Sequence, residues 1–258
     1  MEDLLYEVRD GIGFATLNRP QARNALTFPM YERLAALCGE IASDAGVRAL
    51  IVTGAGDRAF AAGTDISQFR DFRTAEDALA YEARVDRALT AIEECPKPTV
   101  AAIAGACTGG GAAIAAVCDM RLGTADARIG FPIAKTLGNC LSMANYARLA
   151  ALVGPARVID LVYTARLVGA EEARSIGLLS EVLPDRAALL ARAEELARTL
   201  AGHAPLTLRA TKEAMRRLRL AARAVDGDDL VAMCFTSADF REGVESFLAR
   251  RPPRWTGA

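Results

Sequence analysis

The sequence predicts an α/β core of about 190 residues followed by a helical C-terminal region. Three observations carry this. Short apolar runs alternate with amphipathic helical stretches through the first part of the chain. From about residue 138 the pattern is almost wholly helical, broken by "GLLSEVLP". Two loops rich in glycine and alanine, "FAAGTD" and "CTGGG", each follow a β-like apolar run. The expected division is a core over 1–190 and a helical oligomerisation region over 191–258.

The elements follow in order. "YEVRDGIGFATLN" reads as two strands around an Asp10-Gly11 turn. "NRPQARNAL" is a polar loop. A helix begins near Thr27, with Pro29 in its first turn, and runs to about Ser43. "VRALIVTG" is a buried strand ending at Gly54, and "AGDRAFAAGTD" a loop. Thr74 and Asp77 form a capping box that opens a helix through about Glu94. "CPKP" ends it and "TVAAIAG" is the next strand. Residues 109–118 are helical, and "DMRLGT" and "ARIGF" are short strands. The last quarter holds "LLARAEELARTL", "LTLRATKEAMRRL" and "FREGVESFLARR", each with an apolar stripe that needs a partner surface.

Composition narrows the function. The chain has 258 residues, 52% hydrophobic, and a net charge of −1. That allows a sizeable core and gives no basic excess for nucleic acid or a membrane surface. Six cysteines form no C-x-x-C pair and His203 is the single histidine, which disfavours zinc. Reduced cysteines and an N-terminus without a signal-peptide core point to the cytoplasm. Residues 99–118 carry no charge and could span a bilayer by length. Three glycines break that run, so it reads as strand, turn and buried helix.

The two loops suggest chemistry. Small residues let a ligand approach backbone N–H groups. The second loop opens a helix, whose first amides favour negative charge. Converging, the two would supply a two-donor oxyanion hole. Singly, either loop reads as close helix–strand packing. Neither ends in the Lys-Ser/Thr of a phosphate-binding P-loop, and no G-x-G-x-x-G stands in a suitable context.

Together, "NRPQARNAL", "LIVTGAGDRAFAAGTD", "IAGACTGGGAAIAAVCDMRLGTADARIGFP" and "REGVESFLARRPPRW" resemble the enoyl-CoA hydratase/isomerase (crotonase) family from about residue 5 to about 255. The resemblance implies a crotonase-like spiral of ββα units with a helical C-terminal region, assembled as a trimer or a hexamer. It implies an acyl-coenzyme A substrate, a place in fatty acid metabolism and no further cofactor. It places the oxyanion donors on the backbone of Ala62 and Gly110, with Ala61, Thr64, Asp65 and Ile66 continuing the acyl-CoA loop. Arg23 and Arg58 are candidate contacts for the coenzyme A phosphates.

The chain departs from the family at the acids. The two glutamates of the hydratases fall on Ala113 and Ile133, which transfer no proton. Standard hydration is therefore doubtful. Asn139, Cys140 and Ser142 lie in the segment that would face the acyl group. Asp65 reads as structural; Asp71, Glu76 and Glu82 follow that loop and could supply a carboxylate, but read first as helix-surface charges. His203, between two helices, reads as a capping or surface residue. The alternatives are an acyl-CoA isomerase, decarboxylase or thioester hydrolase using another residue, or an acyl-CoA-binding protein without turnover.

Overall fold

The computed structural model describes residues 2–221 and 227–257. Its strands are β1 (Leu4–Arg9), β2 (Ile12–Leu17), β3 (Ala49–Gly54), β4 (Ala59–Ala61), β5 (Thr99–Ile103), β6 (Ala106–Thr108), β7 (Met120–Thr124), β8 (Arg128–Gly130), β9 (Val168–Gly169) and β10 (Glu181–Leu183). The helices of the core are α1 (Phe28–Ser43), α2 (Ala75–Glu94), α3 (Gly110–Val117), α4 (Ile133–Thr136), α5 (Met143–Val153), α6 (Pro155–Thr164) and α7 (Ala170–Ser175). The last part of the chain is α8 (Arg186–Ala201), α9 (Pro205–Ala221), α10 (Asp228–Phe235) and α11 (Ala238–Leu248).

Two sheets organise these strands. One runs β1-β2-β3-β5-β7-β10, the other β4-β6-β8-β9. Three times in succession the chain lays a strand in the first sheet, then one in the second, then a helix: β3-β4-α2, β5-β6-α3 and β7-β8-α4. This is the expected ββα spiral. The joined strands are parallel, except the β1–β2 hairpin and the β8–β9 pair.

The middle of the first sheet is buried on both faces, which is why β3 and β5 read as continuous apolar runs. Leu50 and Val52 point into the main core with α1 and α2, whereas Ala49 and Ile51 point the other way, toward α8. Leu189, Ala193, Leu196 and Ala197 form the covering stripe of α8. The boundary expected between residues 190 and 191 thus falls inside a helix that continues unbroken and packs on the core sheet.

Helices α1 and α2 begin where their caps predict. In α2 the Asp77 N–H donates to Thr74 Oγ1 at 3.3 Å, and the Thr74 N–H to Asp77 Oδ2 at 3.0 Å. The uncharged run 99–118 resolves into β5, β6 and α3. Among the described residues no helix is long and apolar enough to cross a membrane. The reading of "AGDRAFAAGTD" as loop throughout is corrected, because Ala59–Ala61 form β4. Likewise the turn before α3 contains a further strand, β6. Three-residue strands are too short to show an alternation.

Candidate functional site

The short strands bring the two glycine loops together. Strands β4 and β6 lie side by side in parallel, with Ala59 opposite Ala106 and Ala61 near Cys107. Both then end in glycine loops at the same edge of the sheet. A methyl group on Gly109 would lie 3.5 Å from the Cα of Gly63, so the backbones touch.

A third segment decides which amides remain free. The Ala62 N–H donates to the Arg23 carbonyl at 3.0 Å. The Leu26 N–H donates to Gly63 O at 2.8 Å, and the Asp65 N–H to Leu26 O at 2.8 Å. Leu26 and Thr64 therefore form an isolated parallel bridge. In that pattern the N–H of Thr64 itself points away from the Leu26 segment. Among the described residues, the N–H groups of Thr64 and Gly110 have no hydrogen-bond acceptor. The expectation that Ala62 supplies the first donor is corrected: Arg23 holds its N–H, and Thr64 offers an unclaimed one next to the bridge. The letters "FAAGTD" alone could not show which amide the neighbouring segment takes.

Asn24 anchors that segment. Fully buried at φ 55°, it donates through Nδ2 to Ala55 O at 3.0 Å and Ala59 O at 2.7 Å. Its Oδ1 accepts from the Arg19 N–H at 3.0 Å. Asp65 is tied in the same way, accepting from the Ser67 hydroxyl at 2.7 Å and Arg19 at 3.0 Å. Burial would raise its pKa, but these bonds hold the carboxyl below the usual value. The structural role expected of Asp65 holds.

Each glycine of "GGG" has a steric reason. Gly109 adopts φ 51° as it turns the chain into α3. A side chain on Gly111 would overlap the Ala61 carbonyl. One on Gly110 would overlap the Tyr31 hydroxyl and reach within 3.2 Å of Thr64 Oγ1. The backbone is thus stripped where a ligand oxygen could reach two N–H groups at a helix start.

Beside the amides runs a chain of hydroxyls. Thr64 Oγ1 lies 2.9 Å from the Tyr31 hydroxyl and 2.9 Å from that of Tyr81. Burial pushes both phenols above their usual range, so they stay protonated. Tyr31 and Tyr81 also bond to each other, so the three hydroxyls form a closed cluster beside the amides. Tyr81 is fixed among Phe28, Phe69, Phe72 and Phe235, with Phe69 edge-on at 4.9 Å.

The other candidates divide. Ala113 and Ile133 are buried and apolar. Ile66 opens a short 3-10 turn after Asp65. Arg23 and Arg58 are exposed, and so is His203, just beyond α8. Ser142 caps α5, accepting the Asn145 N–H at 3.4 Å. Asn139 keeps a buried Oδ1 with no partner among the described residues. The Cys140 thiol donates to Leu230 O at 3.4 Å in α10. Its neighbour Cys234 and burial hold it protonated, which argues against a nucleophile.

Asp71 and Glu76 are exposed, as expected, but Glu82 is not. It is 9% exposed, and its Oε2 is buried with no partner among the described residues. Burial pushes its carboxyl up to about 7, with Asp86 adding to the rise and hydrogen bonding from Ser142 opposing it. The surface reading of Glu82 is corrected. The signal was in the spacing, because Ala78, Glu82, Val85, Leu89 and Ile92 form one buried stripe of α2.

A cavity of about 510 Å³ lies elsewhere, against the C-terminal end of α3 and lined by Lys212, Met215 and Arg216 of α9. None of the groups above lines it.

The model of the enoyl-CoA hydratase/isomerase family matches residues 7–258. A short-chain-enoyl-CoA hydratase of Clostridium acetobutylicum is 31% identical, covering 97% of this chain and 96% of its own. A probable enoyl-CoA hydratase of Mycobacterium tuberculosis is 33% identical, covering 99% and 98%. The crystal structure of an enoyl-CoA hydratase from Mycobacterium avium subsp. paratuberculosis superposes with a TM-score of 0.85 at 27% identity, covering 99% of each chain.

Proposed function

The chain belongs to the enoyl-CoA hydratase/isomerase family, and from that membership we propose that it moves a proton at the α-carbon of an acyl-CoA thioester. The Thr64 and Gly110 N–H groups hold the thioester oxygen. The observation that carries this is their pairing: two unclaimed amides on touching loops, one at a helix start.

Removing an α-proton places negative charge on the carbonyl oxygen. Preorganised donors bind that enolate better than the ground-state carbonyl. One such donor is worth roughly 2.7–4 kcal/mol in related chemistry. Addition of water also needs an acid and a base around the double bond. Ala113 and Ile133 supply neither where the family's hydratases carry them, which favours an isomerase-type proton transfer over hydration.

Arg23 and Arg58, exposed beside the loops, bind the coenzyme A phosphates in this reading. The chain self-associates as a trimer or hexamer through its last helices, which expose Leu206, Met215, Leu218, Met233 and Phe247. Six free cysteines suit a cytoplasmic location.

The test is exchange of the α-protons of butyryl-CoA in D2O, followed by proton NMR, beside turnover of crotonyl-CoA, 3-enoyl-CoA and malonyl-CoA. Exchange and 3-enoyl-CoA isomerisation are expected in the wild type and lost in Gly110→Ala. Malonyl-CoA turnover alone would replace this reading with a decarboxylase. Thioester binding without exchange or turnover would leave a binding protein.

A further inference from the structure

We infer that Glu82 is the carboxyl that carries the proton in this site, in place of the acids absent at Ala113 and Ile133. The inference rests on the thioester-enolate reading above.

Position comes first. Glu82 follows Tyr81 on α2, and the Tyr81 hydroxyl bonds to Thr64, whose amide is one of the two free donors. The α2 stripe that contains Glu82 packs into the same core as Ala112 and Ala113 in the first turns of α3. Those residues are methyl-sized, so an acid from α2 is not displaced by one from α3.

Chemistry comes second. A buried carboxyl oxygen without a protein partner costs stability, and such perturbed carboxyls cluster at functional sites. The groups around Glu82 leave it unneutralised. Asp86 of its own helix is acidic, Tyr31 of α1 and Tyr81 of α2 are protonated phenols, and Cys140 is a thiol. Helix α3 brings no titratable group. Arg148 of α5 is committed to Asp86 at 2.6 Å and to Glu93 at 2.8 Å. Ser142 alone favours the charged form.

The step balances within the site. Glu82 Oε2 takes the α-proton as the C–H bond breaks. The electron pair moves into the enolate, whose oxygen is held by Thr64 and Gly110. Return of the same proton to the γ-carbon of an enolate derived from a 3-enoyl thioester gives the 2-enoyl isomer. Return of a solvent deuteron to the α-carbon gives exchange. Either restores the carboxylate.

Exchange into butyryl-CoA tests this. Glu82→Gln is expected to lower the rate by roughly 100-fold or more while butyryl-CoA binding by calorimetry is retained. The wild-type rate should rise with pH through about 7. Ser142→Ala removes the hydroxyl that favours the carboxylate, so its inflection should move to higher pH, which a structural role would not cause. Exchange at the wild-type rate in Glu82→Gln, with Gly110→Ala inactive, overturns the role of Glu82 and leaves the amide pair standing. Absence of exchange in the wild type overturns both. If Glu82→Gln does not fold, the profiles decide, and an inflection unmoved in Ser142→Ala overturns the inference.

Discussion

The hydroxyls of Tyr31 and Thr64 lie 2.9 Å apart against the first residue of α3. Tyr31 therefore guards Gly110, since any Cβ there would overlap its oxygen. Gly110→Ala should cost stability and exchange activity, and Tyr31→Phe should relieve part of the stability loss. Tyr31→Phe alone should cost about 1 kcal/mol, the value of one buried hydrogen bond. A double-mutant cycle by urea melts checks this: additivity within about 0.5 kcal/mol would show no coupling between the two.

Asn24→Ala should destabilise the fold by about 3 kcal/mol. Its side chain satisfies Ala55 O, Ala59 O and the Arg19 N–H, all of which lose a partner. Alanine also tolerates the left-handed backbone at Asn24 poorly. Because Asn24 anchors the segment paired with the Thr64 loop, exchange activity should fall even at low temperature, where the variant is folded.

Glu82 should give stability a pH dependence of known sign. Its folded value, about 7, lies above the ordinary glutamate value of 4.5, so the folded chain binds this proton more tightly. Its contribution is full below about pH 4.5 and is lost as pH rises through 7. The loss amounts to about 3 kcal/mol at most. Relative to the wild type, Glu82→Gln should gain stability between pH 5 and pH 8 (about three units). A constant difference in urea midpoints across that range would contradict the burial of an ionisable Glu82.

Arg148→Met should cost about 3–5 kcal/mol. Arg148 is buried and bonds to Asp86, Glu93, Thr90 and Asn145, and Arg219 adds a second contact to Glu93 at 2.7 Å. Its loss strands Asp86 and leaves Glu93 with Arg219 alone. Asp86→Asn should cost less, since Arg148 keeps Glu93. Thermal melts at low and high salt should show little salt dependence for the buried arginine.

Arg23→Ala and Arg58→Ala should each raise KM for a coenzyme A thioester by roughly tenfold, the scale of one charge-assisted contact. Neither should alter KM for an N-acetylcysteamine thioester, which lacks the phosphates. Equal effects on both substrates would remove the arginines from phosphate binding.

How far the sequence reaches can be seen at these residues. The caps Thr27 and Thr74 and the buried runs of β3 and β5 are local signals, and they place the main sheet and its helices. Strands β4 and β6 have three residues each and show no period, although they align the two loops. The choice of Thr64 over Ala62 depends on Arg23 and Leu26, some 40 residues earlier. Glu82 carries a charge that reads as surface, whereas its place in the apolar stripe of α2 buries it. Local chemistry is legible in a sequence, whereas partners set by strand pairing across the fold are not.

The parallel pairing of β4 with β6 also bears on how such a protein changes over generations. The two unclaimed amides proposed to hold the thioester oxygen belong to the main chain, and the pairing of β4 with β6 aligns their loops. Replacing a side chain on α2, α3 or the segment before α5 alters the acid or base without moving them. The scaffold can thus migrate from one reaction to another through intermediates that never lose their grip on the thioester.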